Sequence, residues 1–263
     1  MFLRKPPVVL GALLIRKLSI LKEQEFLIIP PRKNFASASF PTVCVDQTLH
    51  SELLDGIDTV RQQALKETSG AVSKAAHAHL QALDAESWHV VLRDAKERVL
   101  GCARYRQIDG GCEEFRAAES ALARSVRFGP IVRSSLDRLI AAVRRQGKQY
   151  GEAGGWALRP EARGTTAGVN IALMTYGLAE RLGSGLAVTT ATRLNQSASM
   201  LRRIGARRLA GLPGYYEPKF SSVMEIVHFD IPCLNALYAS RMRLMREALR
   251  DIRVVAPIQS YAC

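Results

Sequence analysis

The stretch best suited to chemistry is Trp156-Ala157-Leu158-Arg159-Pro160-Glu161-Ala162-Arg163-Gly164-Thr165-Thr166-Ala167-Gly168, followed at once by small and apolar residues through Leu182. The pattern predicts a strand that stops at a proline, a turn of small residues, and a helix opening at Gly168. The first turn of a helix leaves backbone N–H groups without intrahelical partners, and the helix dipole favours negative charge there, so such an end receives phosphate. One exposed helix-end charge interaction is worth only about 0.3–1 kcal/mol. Useful affinity therefore needs several converging donors, and Arg163 would add a cation. The plainer alternative is an ordinary strand–helix connection. Glu152 precedes this strand, where a solvated carboxylate is the plain reading, and Tyr215 and Tyr216 lie in a later loop.

The elements that must position these residues are legible from periodicity. Strands are expected at Thr42 to Val45, Trp88 to Leu92, Val99 to Ile108, Gly155 to Leu158, Leu186 to Thr190 and Ser221 to Phe229. Helices are expected at Gln47 to Lys66, Ser69 to Leu83, Ser134 to Gln146, Gly168 to Leu182, Gln196 to Ile204 and Cys233 to Leu249. The second and third strands alternate well enough for a hairpin. Antiparallel strands followed by a strand–helix–strand crossover give an α/β (α+β) mixed sheet.

The chain has 263 residues, 48% hydrophobic and 23% charged, which is ordinary globular composition. Its formal net charge of +13 attracts anions such as nucleic acid, anionic lipid, nucleotide phosphates or an acidic carrier protein. Arg124, Arg127, Arg133, Arg138, Arg144, Arg145 and Lys148 form a basic run that follows a phosphate backbone, docks an acidic carrier or is simply a solvated helix face; no aromatic interleaves with its arginines after Phe128, which weakens a single-strand-binding reading. Five scattered cysteines without a CxxC suggest reduced thiols, no zinc site and a cytoplasmic protein. His77 and His79 are two apart and share no helix face, so they make a poor metal pair, and His89 and His228 read as structural. No GxSxG and no HExxH occurs.

The organisation expected is a basic, apolar leader and linker over 1–35, a main domain over 36–230 with an insertion at 109–150, and a helix and tail over 231–263. In the leader, Leu10, Leu13, Leu14, Leu18 and Leu21 recur at helical spacing among Arg16, Lys17 and Lys22. Such a segment is an interfacial helix on an anionic membrane, a helix packed on the domain, or a disordered leader. Its apolar run is too short to span a bilayer, which needs about 20 residues. Ile28 to Asn34, with Pro30-Pro31, reads as a linker.

Pro160, Arg163, Gly164 and Gly168 stand in the register of the (Arg/Gln)-x-x-Gly-x-(Gly/Ala) hallmark, and over about residues 41 to 230 the chain resembles the GNAT acetyltransferase superfamily. It departs where Thr166 replaces the middle glycine, and its Cβ limits close approach of a pyrophosphate. Asn195, Ser197, Leu201 and Gly205 resemble the Asn-containing helix that follows the next strand in that family, with Ala206 where an aromatic is usual. The long 109–150 stretch and Gly214-Tyr215-Tyr216-Glu217-Pro218 are similar to the N-acyl amino acid synthases, relatives of acyl-homoserine lactone synthases.

The resemblance implies a mainly antiparallel central sheet with splayed strands and helices on both faces. It implies a pantetheine thioester, as acyl-CoA or acyl-phosphopantetheine on an acyl carrier protein, between Trp156–Leu158 and the loop of Arg163, Gly164, Thr165, Thr166, Ala167 and Gly168, with Asn195 close by. No permanently bound cofactor and no metal are implied. An N–H near Leu158 would meet the oxyanion. The family's usual Glu falls at Gly154, which turns attention to Glu152, and its usual Tyr falls at Leu201, which turns it to Tyr215 or Tyr216. An α-amine, with a pKa near 7.8, needs far less help from a base than a lysine side chain near 10.4. The activity implied is N-acyl transfer to a small amine such as an amino acid. An acetyl-CoA enzyme acting on a protein or metabolite, or a silent basic binding module, are the alternatives.

Overall fold

The computed structural model describes residues 24–32, 40, 42–69 and 82–258. The leucine-rich leader, His77, His79 and most of the expected Ser69–Leu83 helix lie outside the described residues. Among the described residues no helix is long and apolar enough to cross a membrane.

One ten-stranded sheet organises the chain. Its strands are β1 (Gln24–Ile29), β2 (Val43–Val45), β3 (Trp88–Asp94), β4 (Val99–Ile108), β5 (Gln149–Leu158), β6 (Ser184–Thr192), β7 (Arg207–Arg208), β8 (Tyr215–Glu217), β9 (Ser222–Asp230) and β10 (Arg253–Ala256). The order is β2-β10-β1-β3-β4-β5-β6-β9-β7, with β8 also on β9. Pairing is parallel at β2/β10, β10/β1 and β5/β6 and antiparallel elsewhere. The main helices are α1 (Gln47–Ser69), α2 (Gly129–Arg144), α3 (Ala167–Arg181), α4 (Ser197–Ile204) and α5 (Ala239–Arg250).

Alternation along the strands sorts the helices onto two faces. Ile28, Val90, Leu92, Ala103, Tyr105, Ala187 and Ala191 face α3, α4 and α5. Their neighbours point the other way: Leu27, Ile29, Val91 and Cys102 pack on Leu53, Ile57 and Val60 of α1. Further along that second face, Ile108, Tyr150, Leu186 and Val188 pack on Val132, Leu136 and Ile140 of α2.

Several expectations are corrected. Ile28 and Ile29 are strand, not linker: Leu27 and Ile28 are wholly buried in a strand that pairs with β3 along its full length. Pro30-Pro31 marks the end of that strand and not a loose tether. The sheet therefore draws on residues before 36 (β1) and after 230 (β10). β5 begins at Gln149, six residues earlier than expected: Gly151 and Gly154 weaken strand propensity, but Gly151 is held by both β4 and β6 and Gly154 by β4. α2 begins at Gly129, with Pro130 in its first turn, where the missing N–H is no loss. The last helix begins at Ala239 and not at Cys233, after a 3-10 turn at Ala236–Tyr238.

Tyr105 ties the sheet centre together. Its buried hydroxyl crosses Gly151 of β5 to bond Ser184 at the start of β6. A Cβ on Gly151 would meet that hydroxyl and the Arg106 carbonyl. Gly151→Ala should therefore cost about 1–3 kcal/mol of stability by overpacking, measured as a lowered urea midpoint.

Candidate active site

The decisive feature is a fork between β5 and β6. The two strands pair in parallel from Gln149 opposite Ser184 to Glu152 opposite Val188, and there the pairing ends. β5 continues to Leu158 along β4, while β6 continues to Thr192 along β9. A bulge sets the divergence. Cys102 of β4 faces Ala157 and Arg104 faces Gly154, so Gly155 and Trp156 together oppose Ala103. Gly155 has φ +60, and a Cβ there would strike the Arg61 guanidinium, so this position requires glycine.

The fork exposes main-chain groups. Arg159 donates its N–H to the Leu100 carbonyl, so the alternating ladder turns the Leu158 N–H and C=O away from β4, toward the open side. The buried indole Nε1 of Trp156, on the diverged part of β5, has no hydrogen-bond partner among the described residues, and neither has Oδ1 of Asn170 in the first turn of α3. Beyond Leu158 the chain makes a 3-10 turn over Pro160–Ala162 and a left-handed step at Gly164, φ +70, then enters α3. Thr165 and Thr166 are exposed and Gly168 half-buried, so this helix end is open to solvent. The Thr165 hydroxyl accepts from the Ala167 N–H at 3.1 Å and donates to the Ala162 carbonyl at 2.6 Å. The amides of Gly168 and Val169 remain at the helix mouth, as the strand–turn–helix pattern requires. An extended thioester arm ending in phosphate fits the outward Leu158 amide and the helix mouth.

Arg163 departs from the expected arrangement. Its Nε and Nη2 donate to the Leu158 carbonyl at 3.2 and 3.1 Å, and Nη1 pairs with Glu67 of α1. Those bonds turn the guanidinium back onto the strand end, so it braces the turn rather than reaching out to a phosphate. Asn195 lies in the exposed turn just before α4.

On the sheet's second face, a polar strip separates the apolar clusters under α1 and α2. Along β4 the residues on that face run Cys102, Arg104, Arg106, Ile108, with Gly154 opposite Arg104 and Glu152 opposite Arg106. Glu152 is 6% exposed, at the root of the fork. Its Oε2 accepts the Arg116 backbone N–H at 2.7 Å and lies 3.9 Å from Arg106. Burial raises its pKa above the ordinary carboxylate value, against the pull of the Arg116 amide and of the Arg104 and Arg106 charges. The space above Gly154 is free: a Cβ there would find nothing nearer than Arg104 Nε at 3.8 Å and Glu152 Oε1 at 4.0 Å. A carboxylate thus faces a gap the size of a small side chain beside the fork.

A buried network supports the strip. Asp84 accepts from Arg61 at 2.6 Å and from Arg104 at 3.0 Å, and Arg61 Nε donates to the Gly155 carbonyl at 3.0 Å. His89 sits against the Asp84 carbonyl; burial first, then the Arg61 charge, lowers its pKa to about 4 and keeps the ring neutral. No local pattern points to this network: Arg61 and Asp84 are 23 residues apart, Arg104 and Asp84 20, and Arg61 and Gly155 94.

The two tyrosines separate. Tyr215, half-buried against the α2 cluster, has its pKa pushed up to about 12 by burial and by Glu217. Ser120 and Arg116 neighbour it, so it shares with Glu152 the 116–120 segment of the long connection. Tyr216 points the opposite way and is 59% exposed. His228 remains neutral, with its pKa lowered to about 4 by burial and Arg207, and reads as structural. Cys102 and Cys112 are buried and free, Cys44 is half-buried and Cys233 exposed.

No family model matches the chain, and no curated protein matches it. Solved structures do. The N-acyl amino acid synthase FeeM from uncultured soil microbes is 12% identical over 80% of this chain and 91% of its own, with a TM-score of 0.48. The AHL synthase LasI is 13% identical over 79% of this chain and 89% of its own, at 0.47. An agmatine N-acetyltransferase is 13% identical over 79% of this chain and 100% of its own, at 0.45.

Proposed function

We propose that this chain is a GNAT-type N-acyltransferase that moves an acyl group from a pantetheine thioester to the amine of a small acceptor. The observation that carries the reading is the fork: β5 and β6 part at Glu152, and the N-terminus of α3 opens at the far end of the diverged strand. In this reading the pantetheine arm lies along the outward edge of β5 and its phosphate sits at the amides of Gly168 and Val169. The acceptor amine enters from the second face, over Gly154.

The chemistry follows from these positions. The amine nitrogen attacks the thioester carbonyl, and the resulting oxyanion is met by the Leu158 N–H. Glu152 Oε1 takes the amine proton, directly or through one water above Gly154. The C–S bond then breaks and the thiolate leaves with the acyl group on nitrogen. Tyr215, protonated throughout the neutral range, shares the 116–120 segment with Glu152 and supplies a proton from that side; a thiolate leaves readily enough that its contribution is secondary.

The donor is carried either by coenzyme A or by an acidic acyl carrier protein, which the +13 chain would attract. Thr166 bears on the choice. Thr166→Gly should lower the KM for a free acyl-CoA roughly two- to tenfold, the worth of one hydrogen bond gained by closer approach, with kcat unchanged. An unchanged KM would place the pyrophosphate elsewhere. The reaction itself is tested by mass spectrometry of lipids from cells overproducing the protein, paired with thiol release from acyl-CoA and acyl-carrier donors in vitro. New N-acylated amines, absent with a Glu152→Gln chain, are the expected result. No new species and no thiol release from either donor would return the chain to a binding role.

A further inference from the structure

Arginines converge on one buried carboxylate at the far side of α4. Glu225 of β9 has a side chain only 2% exposed. It accepts from Arg193 Nε at 2.8 Å and from Arg202, and Arg208 Nε lies 3.7 Å away. The three guanidiniums are 51%, 39% and 41% exposed, so they form the outer layer over the carboxylate. With Ala198 and Ser199 they line a cleft of about 420 Å³.

Charge and donor arithmetic show what the cleft lacks. Three cations face one carboxylate, leaving two positive charges in excess. Glu225 takes one N–H from Arg193 and one from Arg202, while each guanidinium carries five donors. The carboxylate is ionised: burial would raise its pKa, but the bonds from Arg193 and Arg202 hold it below the ordinary value. Helical geometry places this cleft away from the fork. On α4, Met200 is the residue nearest Gly168 of α3, and Arg202 lies on roughly the opposite side of the helix.

We propose that the Arg193–Arg202–Arg208 cleft is a second anion site that takes a phosphate group, separate from the α3 helix mouth. A phosphate dianion matches the excess charge, and its oxygens match forked guanidinium donors. Two sources share this chemistry: the ribose phosphate of a nucleotide-bearing thioester donor, and free inorganic phosphate. Only the first rests on the donor reading above.

The test is calorimetric titration of the full chain with coenzyme A, 3′-dephospho-coenzyme A and inorganic phosphate. Arg202→Gln, Arg193→Gln and Glu225→Gln are each compared with the parent. A phosphate site makes the substitutions act in opposite directions. Arg202→Gln and Arg193→Gln should weaken phosphate binding about tenfold, the loss of a charge-assisted bond, whereas Glu225→Gln, which removes a competing anion, should tighten it. A purely structural trio would make all three variants less stable and shift no anion affinity. If the opposed shifts appear with coenzyme A but not its dephospho form, the ribose phosphate is the ligand. If they appear with inorganic phosphate while neither coenzyme binds, the site stands and the donor reading falls. If no titrant shows opposed shifts in Arg202→Gln and Glu225→Gln, the proposal is overturned, whatever the donor assay gives.

Discussion

Replacing Glu152 by Gln should reduce kcat about 100-fold or more without unfolding the protein. General-base catalysis is worth about 10²–10⁴-fold. The amide keeps an oxygen for the Arg116 N–H but cannot take a proton. The pH dependence carries the sign. Burial holds the Glu152 pKa above the ordinary carboxylate value, and the base must be ionised to act, so the parent rate rises with pH through that raised pKa. The acid limb should vanish in Glu152→Gln. Stability moves the other way. A carboxyl whose folded pKa is raised contributes stability below its unfolded pKa and loses it as pH climbs through the folded value. At neutral pH the ionised carboxylate is therefore a burden, and the amide should leave the thermal midpoint unchanged or raise it. Rate–pH profiles and thermal melts of the two chains at matched pH decide the matter. An unchanged acid limb would remove Glu152 from the chemistry.

The second large effect is on stability. Gly155→Ala should cost about 3 kcal/mol or more, read as a fall in the urea midpoint with an unchanged slope. A non-glycine residue in the left-handed region costs about 1–2 kcal/mol. The added methyl would also push aside the Arg61 guanidinium, which binds the Gly155 carbonyl and Asp84. Disturbing a buried ion pair is costly because Asp84, shared with Arg104, would be left partly unpaired in low dielectric. Function should suffer with it. The bulge at Gly155 sets the register of Ala157 and Leu158 on β4, and hence which way the Leu158 amide points. A variant that folds with little loss would show that Arg61 is free to move and that the bulge is not pinned by it. Gly164→Ala makes a useful control: it also has positive φ, but nothing lies within 4 Å of its Cβ, so it should carry only the backbone cost.

The sites respond differently to salt. The paired Arg61–Asp84 and Arg104–Asp84 contacts are buried and poorly screened, whereas the half-exposed arginines over Glu225 lie within reach of solvent ions. Moderate salt should leave the Glu152 pH profile in place while competing for the outer cleft.

Short-range pattern alone determined a good deal here. The β3–β4 hairpin, the strand ending at Pro160, the helix beginning within a residue of Gly168, and the β6–α4 succession are all written in alternation, proline placement and glycine position, which act over a few residues. The open helix mouth is legible for the same reason: small residues between a proline-stopped strand and a helix leave amides exposed wherever they occur. Tertiary structure alone decided the rest. β1 was obscured by the Pro30-Pro31 that follows it, and became a central strand only because β3 and β10 flank it. The glycines at 151 and 154 weakened the signal of β5, and pairing with β4 along the strand, and with β6 as far as Glu152, overrides local propensity. Glu152 and Gly154 could be placed on one face from sequence, but not beside Arg104 and Arg106. The Asp84 network and the arginines over Glu225 join residues far apart in the chain, and no local pattern records such contacts. Periodicity states which residues turn inward; which inward residues meet depends on strand order, and that is settled only when loop entropy and burial are balanced over the whole fold.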